Sequence, residues 1–439
     1  MAWKRGDQDL KTPEIEDLLE AIIAEAGQKL DLVKIDPEAV KQSEASVRDV
    51  LKAATEKASA MLGMTGSIID RDRVIDHVLR ELAGFGPITS FLAEKTITEI
   101  MANGPGRIIV ERNGVMEETR RKFHSNEHLL HIIRLMSSGI GRGIDEDNPF
   151  VDARLPDGSR LHAIIPPLAA DGPALTIRKF SRSASSMADL VKNGAVPEEV
   201  AGFLHACVKG RLNILVSGGT NTGKTTMLNA LAEAIPDTER VITIEDACEL
   251  QFKKRNLVRL ETKPPDMNGK GEIPTRILVR NALRMRPDRI VVGEVRGAES
   301  FDMLQAMNTG HSGSMTTVHA NTARDALARV ETTALLADVG LPLVAIRRQM
   351  SSAIHLIVHL ERQSDGARRL AKMTEVIGTE GDVITTQDLF EMKAEKSGKD
   401  GSVTMTLRAT GLVPKFDRIL DERGIKVPRR IFEQSVGKG

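Results

Sequence analysis

Residues 212–228 read LNILVSGGTNTGKTTML, and within them Gly218, Gly223, Lys224 and Thr225 stand at the spacing G-x-x-x-x-G-K-[ST]. The apolar residues 212–216 predict a strand before this motif. Met227, Leu228 and Leu231 predict a helix after it, closed by Pro236. Glycines at these positions let the backbone curl so that several N–H groups point at one anion, and the helix N-terminus adds positive potential. The chemistry is nucleotide phosphate binding. Gly218, Gly219, Thr220, Asn221, Thr222, Gly223, Lys224, Thr225 and Thr226 form the cradle. Lys224 is expected on the β- and γ-phosphates of ATP, and the Thr225 hydroxyl on Mg²⁺.

Hydrolysis needs carboxylates as well: one to order Mg²⁺ or its waters, one to orient the attacking water. Two predicted strands end in acids. VITIED (241–246) ends in Glu245 and Asp246, and RIVVGEVRG (289–297) carries Glu294. In the second, the usual aspartate position holds Gly293 and the acid comes one residue later. Ligands of α/β sheets gather at the carboxyl ends of strands, so Glu245 and Glu294 are the candidates for water activation and metal ordering. Their two roles are not divided by the sequence.

Three further groups of side chains could act on phosphate. TGHSGSMTTVHAN (309–321) carries His311 and His319. A third ligand for zinc is not visible there, and the Gly-His-Ser-Gly turn reads either as structural or as a phosphate-sensing element. Arg276, Arg280 and Arg284 recur at four-residue steps, which places them on one helix face. That face is either solvated or docked to a neighbour or to phosphate. Arg154, Arg160 and Arg178 fall on predicted strands, where unpaired arginines are uncommon. They could reach phosphate across a domain or subunit boundary.

The elements that must position these residues follow from patterning along 439 residues. Ile15, Leu18, Leu19, Ile22, Ile23 and Ala26 recur at helical spacing after Pro13, a helix that packs on its own chain or on a neighbouring subunit. Residues 35–95 read as mostly helical. Strands are expected at 96–101 and 107–111, a hairpin turn at Asn113-Gly114, a helix over 126–138, and a hairpin over 151–165 turning at Pro156-Asp157-Gly158. SRSASS (181–186) is the linker candidate. Helices and strands then alternate, as in a parallel sheet, and residues 366–439 read as a polar, strand-rich appendage. The expected domains are a helical extension (1–75), an α+β domain (76–180), a linker (181–190) and a P-loop α/β domain (191–439).

Bulk composition narrows the function classes. Formal net charge is zero, there is no Tyr, and aromatics make up 3%. Nucleic-acid binding is disfavoured, because it needs basic surface and stacking platforms. Cys207 and Cys248 form no CxxC or disulfide framework, which fits a reducing cytoplasm. Residues 1–11 show no apolar signal region, and no run of about 18 apolar residues occurs. Any membrane association is therefore expected through partners.

In this order, the P-loop, VITIED, VVGEVRG and GHSGSMTTVHAN resemble the Walker A, Asp box, atypical Walker B and His box of the secretion ATPase superfamily, which includes type II and type IV secretion motors and pilus motors. Gly293-Glu294 is similar to its atypical Walker B. VDARLPDGSRLHAIIPP (151–167), LTIRKF (175–180), ITIEDACELQ (242–251), residues 278–299 and TEVIGTEGDVITTQDLF (374–390) resemble the CpaF-type ATPases of Flp/Tad pilus assembly, over roughly residues 75–415. Ser312 and Asn221-Thr222 depart from that branch, and residues 1–60 match nothing in it. The resemblance implies a RecA-like P-loop ATPase domain behind an N-terminal α+β domain. It also implies a homo-hexamer working with inner-membrane pilus platform proteins at the cytoplasmic face, with assembly or retraction of a pilus as the output. It carries His311 and His319 over as His-box residues for γ-phosphate sensing and subunit coupling, and Arg154, Arg160 and Arg178 as charge stabilisers. A type IV secretion or conjugation motor is the alternative, and a RecA-like nucleic-acid translocase the more distant one.

Overall fold

The structure, a computed structural model, describes residues 13–30, 43–64, 71–112, 114–180, 186–265, 269–363, 365–397 and 402–433. The chain divides into two compact units, Met1–Ser181 and Arg182–Gly439.

The first unit opens with three helices, α1 (Pro13–Ala26), α2 (Glu44–Met61) and α3 (Arg71–Leu82). Leu18, Leu19 and Ile22 of α1 pack with Val47 and Leu51 of α2 and with Val74, Ile75 and Val78 of α3. The apolar face of α1 is therefore covered by its own chain. The boundary expected at 75/76 falls inside α3, whose apolar stripe belongs to this helical core. The short α4 (Thr89–Ala93) follows, and then a six-stranded sheet: β1 (Ile97–Asn103), β2 (Ile108–Arg112), β3 (Val115–Glu118), β4 (Phe150–Arg154), β5 (Arg160–Ile164) and β6 (Ala174–Arg178). The order is β3-β2-β1-β6-β5-β4, antiparallel throughout. Between β3 and β4 runs α5 (Asn126–Ser138), whose first turn is capped by the Ser125 hydroxyl accepting from His128 N. Its Leu129, Ile132 and Ile133 pack with Ile100, Val110, Leu161 and Ile177 of the sheet. Asn113, half of the expected hairpin signal, lies outside the described residues.

Residues 181–185, most of the linker candidate, also lie outside the described residues. The expected linker is shorter at its far end, because a capping box between Ser186 and Asp189 starts α6 (Met187–Lys192). The second unit continues with α7 (Glu198–Lys209), β7 (Ile214–Gly218), α8 (Lys224–Ala232), β8 (Val241–Glu245), β9 (Leu257–Glu261), α9 (Thr275–Ala282), β10 (Arg289–Val292), α10 (Glu299–Asn308), β11 (Met315–His319), α11 (Ala323–Leu335), α12 (Leu343–Ala353), β12 (Leu356–Arg362), β13 (Arg368–Glu380), β14 (Val383–Ser397), β15 (Ser402–Ala409) and α13 (Asp417–Glu422). The sheet order is β15-β14-β13-β12-β7-β11-β10-β8-β9. The strands from β12 to β9 run parallel, and β13, β14 and β15 extend the same sheet antiparallel. The strand-rich appendage is thus a continuation of the central sheet. Six parallel strands, β12-β7-β11-β10-β8-β9, with the phosphate loop after the second of them, give this unit its RecA-like α/β fold.

Strand residues alternate between two cores. Ile214, Val216, Val241 and Val291 pack on the side of α7 and α8. Leu215, Ile242, Ile290 and Val292 pack on the side of α9 to α12. Burial on both faces explains the unbroken apolar runs.

The amino edge of this sheet is tied by one fully buried arginine. Arg289 is 0% exposed. It forks onto Glu239, with Nη2 donating to Oε1 at 3.2 Å, and it donates through Nη1 to the Val208 carbonyl at 2.7 Å. Removing one partner of a buried ion pair leaves an uncompensated charge. Arg289→Ala is expected to cost about 3–5 kcal/mol in urea unfolding. The double replacement Arg289→Met with Glu239→Leu should recover most of that loss. Equal losses in the single and double variants would refute the argument.

Candidate functional site

Four parallel strands deliver their carboxyl ends to one edge. His319 of β11 registers with Gly218 of β7, and Val292 of β10 registers with Ile244 of β8. The phosphate loop, Glu245, Gly293-Glu294 and His319 therefore share that edge.

The loop has the backbone of an anion cradle. Asn221 sits at φ +59° and Gly223 at φ +93°, so two of its residues adopt the left-handed region. A Cβ on Gly218 would lie 2.6 Å from the Leu360 carbonyl oxygen of β12, so the neighbouring strand also requires glycine there. No side chain caps the N-terminus of α8, an arrangement common to helix ends that bind anions. Lys224 lies back across the loop, with Nζ donating to the carbonyls of Gly219 at 2.8 Å and Gly218 at 3.1 Å. The Thr222 hydroxyl donates to the Gly219 carbonyl at 3.0 Å.

Glu245 is buried, 4% exposed. Its Oε2 accepts from the backbone N–H groups of Glu249 and Leu250, both at 2.8 Å. Its Oε1 has no hydrogen-bond partner among the described residues. Burial pushes the carboxyl up to about 7, against the pull of the Leu250 and Glu249 N–H donors and of the Arg259 charge. Such a buried, half-satisfied carboxylate suits a bound water or hard cation. The Thr225 hydroxyl and Glu294 are further oxygen donors on this edge, the hard donor type that Mg²⁺ takes; no group of three or more His, Cys, Asp or Glu among the described residues is placed to hold a metal ion.

Gly293 explains the altered strand end. Its N–H donates to the Ile244 carbonyl at 2.8 Å and its carbonyl accepts from the Thr317 hydroxyl at 2.7 Å. A Cβ at this position would lie 3.1 Å from Glu245 Cγ. The glycine thus makes room for the neighbouring acid. Glu294 accepts from Arg296 Nη2 at 2.7 Å, and Arg296 Nη1 donates to Asp246 at 3.3 Å. Hydrogen bonding to Glu294, with the charges of both acids, raises the Arg296 guanidinium above its ordinary value.

Some expected residues are not gathered here. His311 precedes β11 and so lies at the opposite, amino edge, where its N–H and Nδ1 meet the Ala306 carbonyl at 3.3 Å. Five strand residues, about 16 Å at the usual rise, separate it from the His319 end. The single chain does not bring His311 to the phosphate loop. Arg276 and Arg280 reach Asp302 of α10, at 2.8 Å and 3.7 Å, and the Arg280 side chain stays 67% exposed, so Arg276 is tied within the chain while Arg280 faces solvent. The helix α9 ends before Arg284.

Arg154, Arg160 and Arg178 lie in the first unit. The register pairs Arg154 with Arg160 and Arg160 with Arg178, so three guanidiniums line up across adjacent strand ends. Arg154 sits over the Phe180 ring at 5.9 Å, and Arg178 lies 3.9 Å from Glu99. Sequence reasoning missed two residues of the site, Arg296 and Arg368. Arg296 carried a signal, a cation two residues beyond the strand-end acid. Arg368, whose Nη2 donates to Asn221 Oδ1 at 2.7 Å, carried none.

Residues 81–405 match the family model described as Type II/IV secretion system protein. A putative conjugal transfer protein of Mycobacterium tuberculosis is 37% identical over 309 residues, covering 69% of this chain and 87% of the relative. The conjugal transfer protein TrbB of Rhizobium radiobacter is 34% identical, covering 66% and 86%. The type IV secretion system protein VirB11 of Bartonella quintana is 33% identical, covering 63% and 87%. Among solved structures, the VirB11 ATPase of Brucella suis in complex with sulphate is 28% identical, covers 65% of this chain and 94% of its own, and has a TM-score of 0.36. The pilus retraction motor PilT with bound ADP is 22% identical, covers 67% and 83%, and has a TM-score of 0.48. With its P-loop, its buried acid and 81–405 inside one family model, this chain belongs to the type II/IV secretion system protein family.

Proposed function

We propose that the chain is a Mg²⁺-dependent ATPase, a hexameric motor that drives a membrane-embedded secretion or conjugation machine of the type IV class. The observation that carries this reading is Glu245: a buried carboxylate with one unsatisfied oxygen, on the same sheet edge as a phosphate loop. Lys224 and the loop N–H groups would hold the phosphates, Thr225 and Glu294 the Mg²⁺, and Glu245 the attacking water. Mg²⁺ would neutralise charge on the phosphate oxygens. His319 is the γ-phosphate sensor in this reading, and His311 couples subunits from the far edge. Arg154, Arg160 and Arg178 would supply positive charge to a nucleotide in the second unit of the same or an adjacent chain. No helix among the described residues is long and apolar enough to cross a membrane, and in this reading the motor reaches the inner membrane from the cytoplasm through its partners.

The conjugal transfer and VirB11 relatives favour the type IV secretion reading. Assembly of a Flp/Tad pilus is the second reading, favoured by the CpaF-like stretches at 151–167 and 374–390. Disrupting the gene separates them: loss of DNA or protein export supports the first, and loss of surface pili the second.

The ATPase itself is tested by the Mg²⁺-dependent rate per chain against protein concentration, with Lys224→Ala as the blank. The rate should climb with concentration where an adjacent chain supplies the arginine row, and stay flat where the same chain does. Arg160→Ala should flatten the climb without lowering the unfolding temperature. A wild-type rate no higher than that of the blank would refute the ATPase reading.

A further inference from the structure

The β12–β13 turn is held against the phosphate loop by the sheet itself. Leu360 of β12 registers with Gly218 of β7, and Arg362 registers with Arg368 across the hairpin. Arg368 is the point of contact. Its Nη2 donates to the Asn221 side chain at 2.7 Å, and its Cδ lies 3.7 Å from where a Cβ on Gly223 would stand. Asn221 and Gly223 are the two loop residues in the left-handed region. The guanidinium is exposed, and no carboxylate pairs with it among the described residues. Its neighbour Arg369 differs, pairing with Asp365 at 2.8 Å. A fork with several donors and one neutral partner, placed at the rim of an anion cradle, suits phosphate oxygens.

Strand order says which end of the nucleotide it faces. The acids Glu245 and Glu294 follow β8 and β10, on one side of β7, while the β12–β13 hairpin stands on the other side. A nucleotide whose γ-phosphate faces the acids runs over the loop and leaves on the hairpin side. The chain has no Tyr and 3% aromatics, so stacking rings for the base are scarce, and a guanidinium plane is an alternative base platform. We propose that Arg368 is a nucleotide-binding residue for the α-phosphate and nucleoside portion, delivered to the P-loop by the C-terminal hairpin. This rests on the reading of the loop as an ATP site.

The test measures binding of ADP and of inorganic pyrophosphate by calorimetry, for the wild type, Arg368→Gln and Arg368→Ala. Glutamine keeps a donor for Asn221 and removes the charge. Both variants should weaken ADP about tenfold, the scale of a charge-assisted hydrogen bond. Pyrophosphate lacks the nucleoside and is free to take the β- and γ-positions at the loop, so it should stay within about twofold. The KM for ATP should rise by a similar factor. ADP binding unchanged in both variants overturns the proposal. Equal weakening of ADP and pyrophosphate also overturns it, and makes Arg368 a brace of the loop through Asn221. A wild type that binds neither ligand would instead sink the ATP-site reading itself. The two failures are therefore distinguishable.

Discussion

Glu245→Gln is expected to lower ATP turnover by about 10³-fold or more while making the folded chain more stable at pH 8. The activity loss follows from removing the base that positions or deprotonates the attacking water. The stability gain follows from the cost of burying the charge. The carboxyl ordinarily titrates at 4.5 and is raised to about 7 in the fold. Between those pH values the folded chain holds a proton that the unfolded chain has released. Stability therefore falls as pH rises from about 4.5 to about 7, by about 3 kcal/mol in all at roughly 1.4 kcal/mol per unit. Glutamine carries no charge at any pH and escapes this loss, although its amide leaves a buried donor unsatisfied. The net gain should be about 1–3 kcal/mol at pH 8 and close to zero at pH 4.5, read from urea midpoints at the two pH values. Wild-type hydrolysis should rise with pH through about 7, as the base becomes ionised. Equal midpoints at pH 8, or turnover within tenfold of wild type, would remove Glu245 from its assigned role.

The fold and the site were legible to different depths. The phosphate loop could be read because its chemistry is local: glycine spacing, a strand before, a helix after. The helix expected over 126–138 is α5, and its Ser125 cap and apolar face lie within one segment. Residues joined through the sheet could not be read this way. Arg368 touches Asn221 across 147 positions, and only the placement of β12 beside β7 brings them together. Arg289 opens a strand in sequence and is fully buried in the structure, because Glu239 and the Val208 carbonyl come from other elements. His311 carried a signal that pattern reading passed over. The five residues of β11, which end at His319, form a strand, and a strand sends its two ends to opposite edges of the sheet.

That geometry gives the His-box segment two ends with different surroundings. At the amino edge, Asn213 Oδ1 accepts from the N–H groups of Gly313 at 2.7 Å and Ser314 at 3.1 Å, and its Nδ2 donates to the Ala353 carbonyl at 2.6 Å. Gly313 lies at φ +87°, and a Cβ there would stand 2.6 Å from Arg289 Nη1. The turn carrying His311 is thus pinned by buried polar groups on several elements. At the carboxyl edge, His319 is exposed beside the loop.

Restoring the common aspartate, Gly293→Asp, should damage the enzyme and not improve it. A Cβ at this position meets Glu245 Cγ at 3.1 Å, tighter than ordinary contact, so either the strand end or the Glu245 side chain must shift. Movement of Glu245 would loosen its two 2.8 Å hydrogen bonds from Glu249 and Leu250. The new carboxylate would also stand beside a carboxyl already raised to about 7, and like charges push the second acid higher still. Fewer molecules would hold Glu245 ionised at neutral pH. We expect turnover at pH 7 to fall about 10²-fold or more, the scale of losing a positioned base, with the pH profile moved to higher pH. Gly293→Ala separates the two causes. It carries the steric contact without the charge, so it should lose less activity and keep the wild-type pH profile. Nucleotide affinity, set at Lys224 and the loop, should stay within about threefold of wild type in both variants. If Gly293→Asp turns over as fast as the wild type, the glycine is not there to make room for Glu245, and the strand end tolerates either acid arrangement.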